Sequence, residues 1–163
     1  MFSWLRPLFY CSLRLNQFTD FGLRISMYMA QKPEGTSTTI TELAAQFGIS
    51  RSHLVKVVQF LSQHGVIAAQ RGRKGGLRLA HPPETVRVGQ LVRLLEQTPS
   101  VINCRTAAHC VLAGNCQLKS ALDTAYDAFF SVLDGYSLRD VTGGNTGAIL
   151  RQLMLGAPLE PAA

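Results

Sequence analysis

Residues 39–65 read TITELAAQFGISRSHLVKVVQFLSQHG, and the reading of this stretch decides the fold. Thr39 and Glu42 have capping-box spacing, in which the hydroxyl takes one unpaired amide and the carboxylate another. Leu43, Ala44 and Phe47 then supply an apolar face, so a short helix starts here. Gly48 breaks it and Ser50 caps the next helix, over 51–64, with Leu54, Val57, Val58 and Leu61 inward and Arg51, His53, Lys56 and Gln59 outward. Two helices meeting at a glycine-containing turn match the helix-turn-helix pattern. Gly65 stops the second of them.

Working outward, residues 15–30 place Phe18, Phe21, Ile25 and Met29 at helical spacing, which predicts a first helix with Asp20 and Arg24 elsewhere on its surface. Downstream, 66–70 and 77–80 are short strand candidates joined by the glycine-rich run RGRKGG, a hairpin that would form a wing. Pro82 and Pro83 end it, and Val88, Leu91, Val92 and Leu95 fit a further short helix. From 116 to 133, Leu118, Leu122, Ala125, Phe129 and Val132 trace a stripe long enough to pack on a partner helix. The expected class is mainly α with a small β wing. The expected organisation is an extension over 1–14, a winged helix-turn-helix DNA-binding domain over 15–96, a cysteine loop over 97–116, a dimerisation helix and its end over 117–140, and a mobile glycine- and proline-bearing tail over 141–163.

The chain has 163 residues, 47% of them hydrophobic and 16% charged, which allows one core-forming domain and excludes a mainly disordered chain. Residues 1–93 carry 12 bases against 4 acids, and residues 94–163 carry 4 against 6. A basic amino half suits a polyanion, nucleic acid first, while the mildly acidic remainder suits sensing or assembly. No run reaches the ~18–20 apolar residues of a membrane span, so a soluble, cytoplasmic protein is expected. The aromatic segment 1–14 is broken by Arg6 and Pro7 and lacks a small-residue cleavage site, so it reads as an extension or an overcalled start rather than a secretory signal.

An exposed helix start bearing Arg51, Ser52, His53 and Lys56 fits the major groove, and the loop bases Arg71, Arg73 and Lys74 suit a neighbouring minor groove or the phosphate backbone. The bland alternative is a solvated basic face, but helix order, glycine placement and basic loop coincide in one stretch. Double-stranded DNA with a palindromic operator, bound by a homodimer, follows. Cys104, Cys110 and Cys116 recur with five residues between neighbours, which departs from the close pairs of zinc sites and looks more like a cradle for an iron-sulfur cluster than a disulfide scaffold. Buried or redox-active thiols are the competing reading. No phosphate loop, catalytic carboxylate pair or dinucleotide fingerprint is present, so an enzyme is not expected.

The stretches 18–24 (FTDFGLR), 50–56 (SRSHLVK) and 71–79 (RGRKGGLRL), together with the cysteine triplet, resemble the NsrR-type nitric-oxide-sensing repressors. These belong to the iron-sulfur winged-helix regulators that also include IscR. The resemblance covers about 15–140. It implies a homodimeric repressor with one cluster per subunit, 4Fe-4S first and 2Fe-2S second, on Cys104, Cys110 and Cys116. A fourth ligand would come from the other subunit's first helix, by a carboxylate that matches Asp20, with His109 and Cys11 as competitors. Asp20 also has the spacing to pair with Arg24 on its own helix. The close rival is an IscR-like regulator of cluster supply, which is associated with a histidine ligand.

Overall fold

A computed structural model of the chain describes residues 14–70, 72, 75–97, 100–102, 110, 112 and 114–156. Helix α1 (Gln17–Ala30) starts at Asn16, whose side chain accepts the Thr19 amide at 2.8 Å. Asn16 is itself gripped by Glu96, through its backbone N at 2.8 Å and its Nδ2 at 3.0 Å, so the start of α1 is tied to a distant helix end. Ile25, Tyr28 and Met29 carry α1 into the core, and Phe18 and Phe21 flank it half-buried. Helix α2 (Ile40–Phe47) is capped by the Thr39 hydroxyl, which accepts the Glu42 amide at 3.0 Å. The other half of the expected capping box is replaced. The Glu42 carboxylate receives the Tyr28 hydroxyl and the Lys32 ammonium, each at 2.6 Å, because two strong donors on the α1 side satisfy it better than one amide would.

Gly48 ends α2 at φ 62°, in the left-handed region where a β-carbon is strained, and so makes the turn into α3 (Arg51–Gln63). All four residues expected to face inward, Leu54, Val57, Val58 and Leu61, are buried. After Gly65 come β1 (Ile67–Gln70) and β2 (Gly76–Leu79), antiparallel, with Ile67 opposite Leu79 and Gln70 opposite Gly76. Thr38 and Leu77 exchange backbone hydrogen bonds of 2.9 and 2.8 Å, which pins the wing to the strand-like approach to α2.

Helix α4 (Val88–Glu96) buries Val88, Leu91, Val92 and Leu95, as its spacing predicts. It carries α5 (Gln117–Asp134) on a second, smaller apolar cluster of Val88, Val92 and Phe130. The approach is close: a β-carbon on Gly89 would sit 2.8 Å from the Asp134 backbone nitrogen. Of the stripe expected to meet a partner helix, Phe129 packs against this cluster beside Phe130, Tyr126 and Leu133, while Leu118 and Val132 stay 64% exposed.

The tail departs from expectation. A short helix α6 (Leu138–Val141) starts with a complete Ser137–Asp140 capping box, and α7 (Gly144–Met154) follows it. Helix α7 returns to the core through buried Gly147 and Leu150, and Arg151 Nη1 donates to Gln31 Oε1 at 2.6 Å. The Gln31 amide in turn donates to the Thr142 carbonyl at 2.9 Å. Residues 157–163 lie outside the described residues, as does the expected extension up to residue 13. No helix among the described residues is long and apolar enough to cross a membrane.

Candidate nucleic-acid interface and cysteine site

The start of α3 projects from the fold because its apolar face anchors it from one side only. Ser50 caps it, and Arg51, Ser52, His53 and Lys56 form one exposed surface around its first turn and a half. Arg51 Nη1 donates to Thr41 Oγ1 at 3.4 Å, and the Ser50 and Ser52 hydroxyls share a hydrogen bond of 3.2 Å. The His53 ring lies 6.1 Å from the Phe21 ring. Beside it, Phe18, Phe21, His53 and Lys56 line a shallow groove of about 130 Å³ between α1 and α3. Four of the expected DNA-facing residues thus share one face.

The other three, Arg71, Arg73 and Lys74, lie outside the described residues. The glycines that frame them are described: the Gly75 amide donates to the Gly72 carbonyl at 2.8 Å, with Gly72 at φ 114°. Gly76 lies where a β-carbon would meet Thr38 O at 2.8 Å. The alternation of β2 puts Leu77 inside and Arg78 outside, so Arg78 is a further base on the wing. Period-two patterning within the RGRKGGLRL run would have found it.

Cys116 is the N-cap of α5, and its Sγ accepts the Lys119 backbone N–H at 3.4 Å. The amino end of this 18-residue helix presents unpaired amides and the positive end of its dipole, and the Cys116 sulfur stands against them. Cys110 is half-buried and unbonded. Cys104, His109 and Cys11 lie outside the described residues.

Asp20 sits on the first turn of α1, where its Oδ1 receives Arg24 Nε at 2.9 Å. The two side chains are 43% and 52% exposed, so the pair is worth no more than ~0.5 kcal/mol. Among the described residues, no three potential metal ligands converge within the single chain, and Asp20 does not join Cys110 and Cys116 there.

Sequence reasoning missed the Tyr28–Glu42–Lys32 cluster that braces α1 against α2. Burial and then the Glu42 hydrogen bond hold the Tyr28 phenol well above its ordinary pKa. Burial works to raise Glu42, but hydrogen bonds from Lys32 and Tyr28 and the Lys32 charge outweigh it and leave the carboxyl below its usual range.

Comparison with known proteins places this arrangement. The profile of the Rrf2 family, described as an iron-dependent transcriptional regulator, matches residues 15–144. Among solved structures, Staphylococcus aureus CymR is 25% identical, with 79% of this chain and 98% of that chain covered and a TM-score of 0.64. CymR (YrzC), the global cysteine regulator of B. subtilis, is 24% identical over 80% of this chain and 96% of its own, with a TM-score of 0.64. T. potens IscR is 22% identical over 80% and 86%, with a TM-score of 0.65.

Proposed function

The chain belongs to the Rrf2 family of DNA-binding transcriptional regulators, which are not enzymes, and on that premise we propose that it is a nitric-oxide-responsive homodimeric repressor. Its operator grip would depend on an iron-sulfur cluster held by Cys104, Cys110 and Cys116. The observation that carries this reading is the place of Cys116. Its sulfur accepts a backbone amide of the first turn, and it is the cap from which α5 starts. A ligand bond made or lost there acts directly on that helix.

Two further features support the reading. Leu118 and Val132 leave an apolar stripe of α5 in solvent, with Leu122 and Phe129 half-buried between them, and a second copy of α5 would cover it. Asp20 gives up little when it leaves Arg24, so its carboxylate is free to serve as a fourth ligand to the other subunit's cluster. When bound, the cluster supplies iron centres open to nitric oxide. The chain supplies the linkage: an oxygen donor is harder and more easily displaced from such iron than a thiolate. If that bond were lost, Asp20 would return to Arg24 and α1 would be freed from its partner's cysteine loop. Since α1 packs on α3, the separation of the two α3 helices would then change, to which a dimer on a palindrome is sensitive.

Anaerobic purification followed by iron and sulfide analysis tests the cofactor. Equal iron and sulfide per chain, lost on replacing the three cysteines by serine, is the expected result. The likeness to CymR, named the global cysteine regulator in B. subtilis and solved in an oxidized form from S. aureus, favours a second reading, a thiol switch without a cluster. An iron-free preparation that binds its operator and releases it on thiol oxidation would establish that reading instead.

A further inference from the structure

A cavity of about 220 Å³ opens where three elements meet: the end of α3, the segment after β2 and the exposed flank of α4. None of the cysteines and none of the residues at the exposed start of α3 line it. Its floor is aliphatic, from Val66, Leu91 and Leu94. Its charged or ionisable lining is His64, His81 and Arg87, and no carboxylate is among the described residues around it.

The three basic side chains that line it, His64, His81 and Arg87, are all exposed to solvent. His64 Nδ1 lies 2.8 Å from the Phe60 carbonyl oxygen, a contact that needs the proton on Nδ1. The ring also lies against Phe60, with centroids 4.2 Å apart and the planes tilted by 36°. Arg87 has no direct ion-pair partner among the described residues. Asp140, the acid whose charge it feels, has its Oδ2 occupied by the Ser137 amide and hydroxyl at 2.8 and 2.6 Å. A guanidinium and two imidazoles lining one groove with aliphatic side chains match the chemistry of a carboxylate with an apolar body. A groove of about 220 Å³ suits a ligand of small-metabolite size.

We propose that this groove is an effector site for a small apolar carboxylic acid, with the carboxylate on Arg87, His64 and His81 and the body over Val66, Leu91 and Leu94. The inference rests on the family assignment and not on the cluster. The site joins the end of the DNA-facing helix to α4, which holds α5 through Arg93 and Asp134. A ligand bridging these elements biases their relative placement and so couples to operator affinity, by a factor of about 5–150 in either direction.

The test is titration of the full ¹⁵N-labelled chain with benzoate and hexanoate, and with benzamide as the uncharged control. Saturable shifts are expected at the amides of Gly65, Val66 and Leu91, with benzamide at least about tenfold weaker. Arg87→Gln should weaken benzoate binding at least about fivefold, and Leu94→Trp, which fills the cavity, should abolish it. Both variants should bind operator as wild type does in carboxylate-free buffer. No saturable shift at those amides, equal binding of benzamide, or unchanged binding by Arg87→Gln would overturn the proposal. So would weakened operator binding by Arg87→Gln and His64→Gln without any acid present, since these bases would then belong to the phosphate-contacting surface.

Discussion

Arg93 on α4 donates from Nη1 to Oδ2 of Asp134 on α5 at 2.7 Å, and its guanidinium carbon stands 4.5 Å from the centre of the Phe130 ring. One side chain thus joins the DNA-binding half to the helix that exposes the apolar stripe. The ion pair alone is modest, since its members are 43% and 34% exposed, but Phe130 is buried and the stack on its ring adds ~0.5–1 kcal/mol. Urea denaturation of Arg93→Ala, Asp134→Ala and the double variant should give a coupling of ~0.5–1 kcal/mol. Arg93→Lys should lose the stack and the fork geometry and fall between wild type and Arg93→Ala. A coupling near zero would mean that α5 is held by its apolar contacts alone.

Gly89 is the close-approach point of the same joint. A β-carbon there would lie 2.8 Å from both the Asp134 Cγ and its backbone nitrogen, and the backbone cannot step aside as a flexible side chain can. Gly89→Ala should therefore destabilise by ~1–3 kcal/mol, despite alanine's better helix propensity. Thermal melts would check the sign: a rise in Tm would show that α5 does not sit this close.

The Tyr28–Glu42–Lys32 cluster predicts an acid-sensitive contribution to folding. The folded-state pKa of Glu42 is lowered, so its stabilisation is present above the unfolded value of ~4.3 and is lost as pH falls through the folded value. Glu42→Gln should cost ~1–3 kcal/mol near neutral pH, and its stability should fall less than that of wild type between about pH 5 and pH 3. Parallel pH dependences in denaturant titrations would remove the carboxylate from this role.

On the DNA side, Lys56 and Arg78 are exposed bases on α3 and β2. If each neutralises a phosphate, Lys56→Ala and Arg78→Ala should weaken binding about equally on operator and random duplex, and each should reduce the salt slope by ~0.9. His53→Ala should do the reverse, with loss confined to operator. Unchanged slopes in both lysine and arginine variants would place the duplex elsewhere.

The helix-turn-helix was legible because its signals are local: a hydroxyl cap at Thr39, a left-handed glycine at Gly48, and four apolar residues of α3 at helical spacing. Tertiary choices were not. Glu42 had an acceptable local partner and took two stronger distant ones, which spacing cannot rank. Helix α5 has apolar residues on two sides, and only the position of α4 decides that Phe130 goes inward while Leu118 and Val132 stay outside. Gly147 reads in sequence as a breaker within a mobile tail. In the fold it is a packing position, since a β-carbon there would lie 3.2 Å from Gln31 Oε1 and 3.1 Å from Arg151 Nη1. The cysteine triplet suggests its chemistry only through spacing and residue type, and Cys104 lies beyond the described residues.

The most direct measurement is an anaerobic nitric oxide titration of the operator complex, with visible absorbance and fluorescence anisotropy of labelled DNA followed in one cuvette. The account predicts that loss of the cluster absorbance and release of DNA occur together, and that a variant with serine at Cys104, Cys110 and Cys116 shows neither response. Release of the operator by nitric oxide from that serine variant, or complete loss of the absorbance with the DNA still bound, would contradict it.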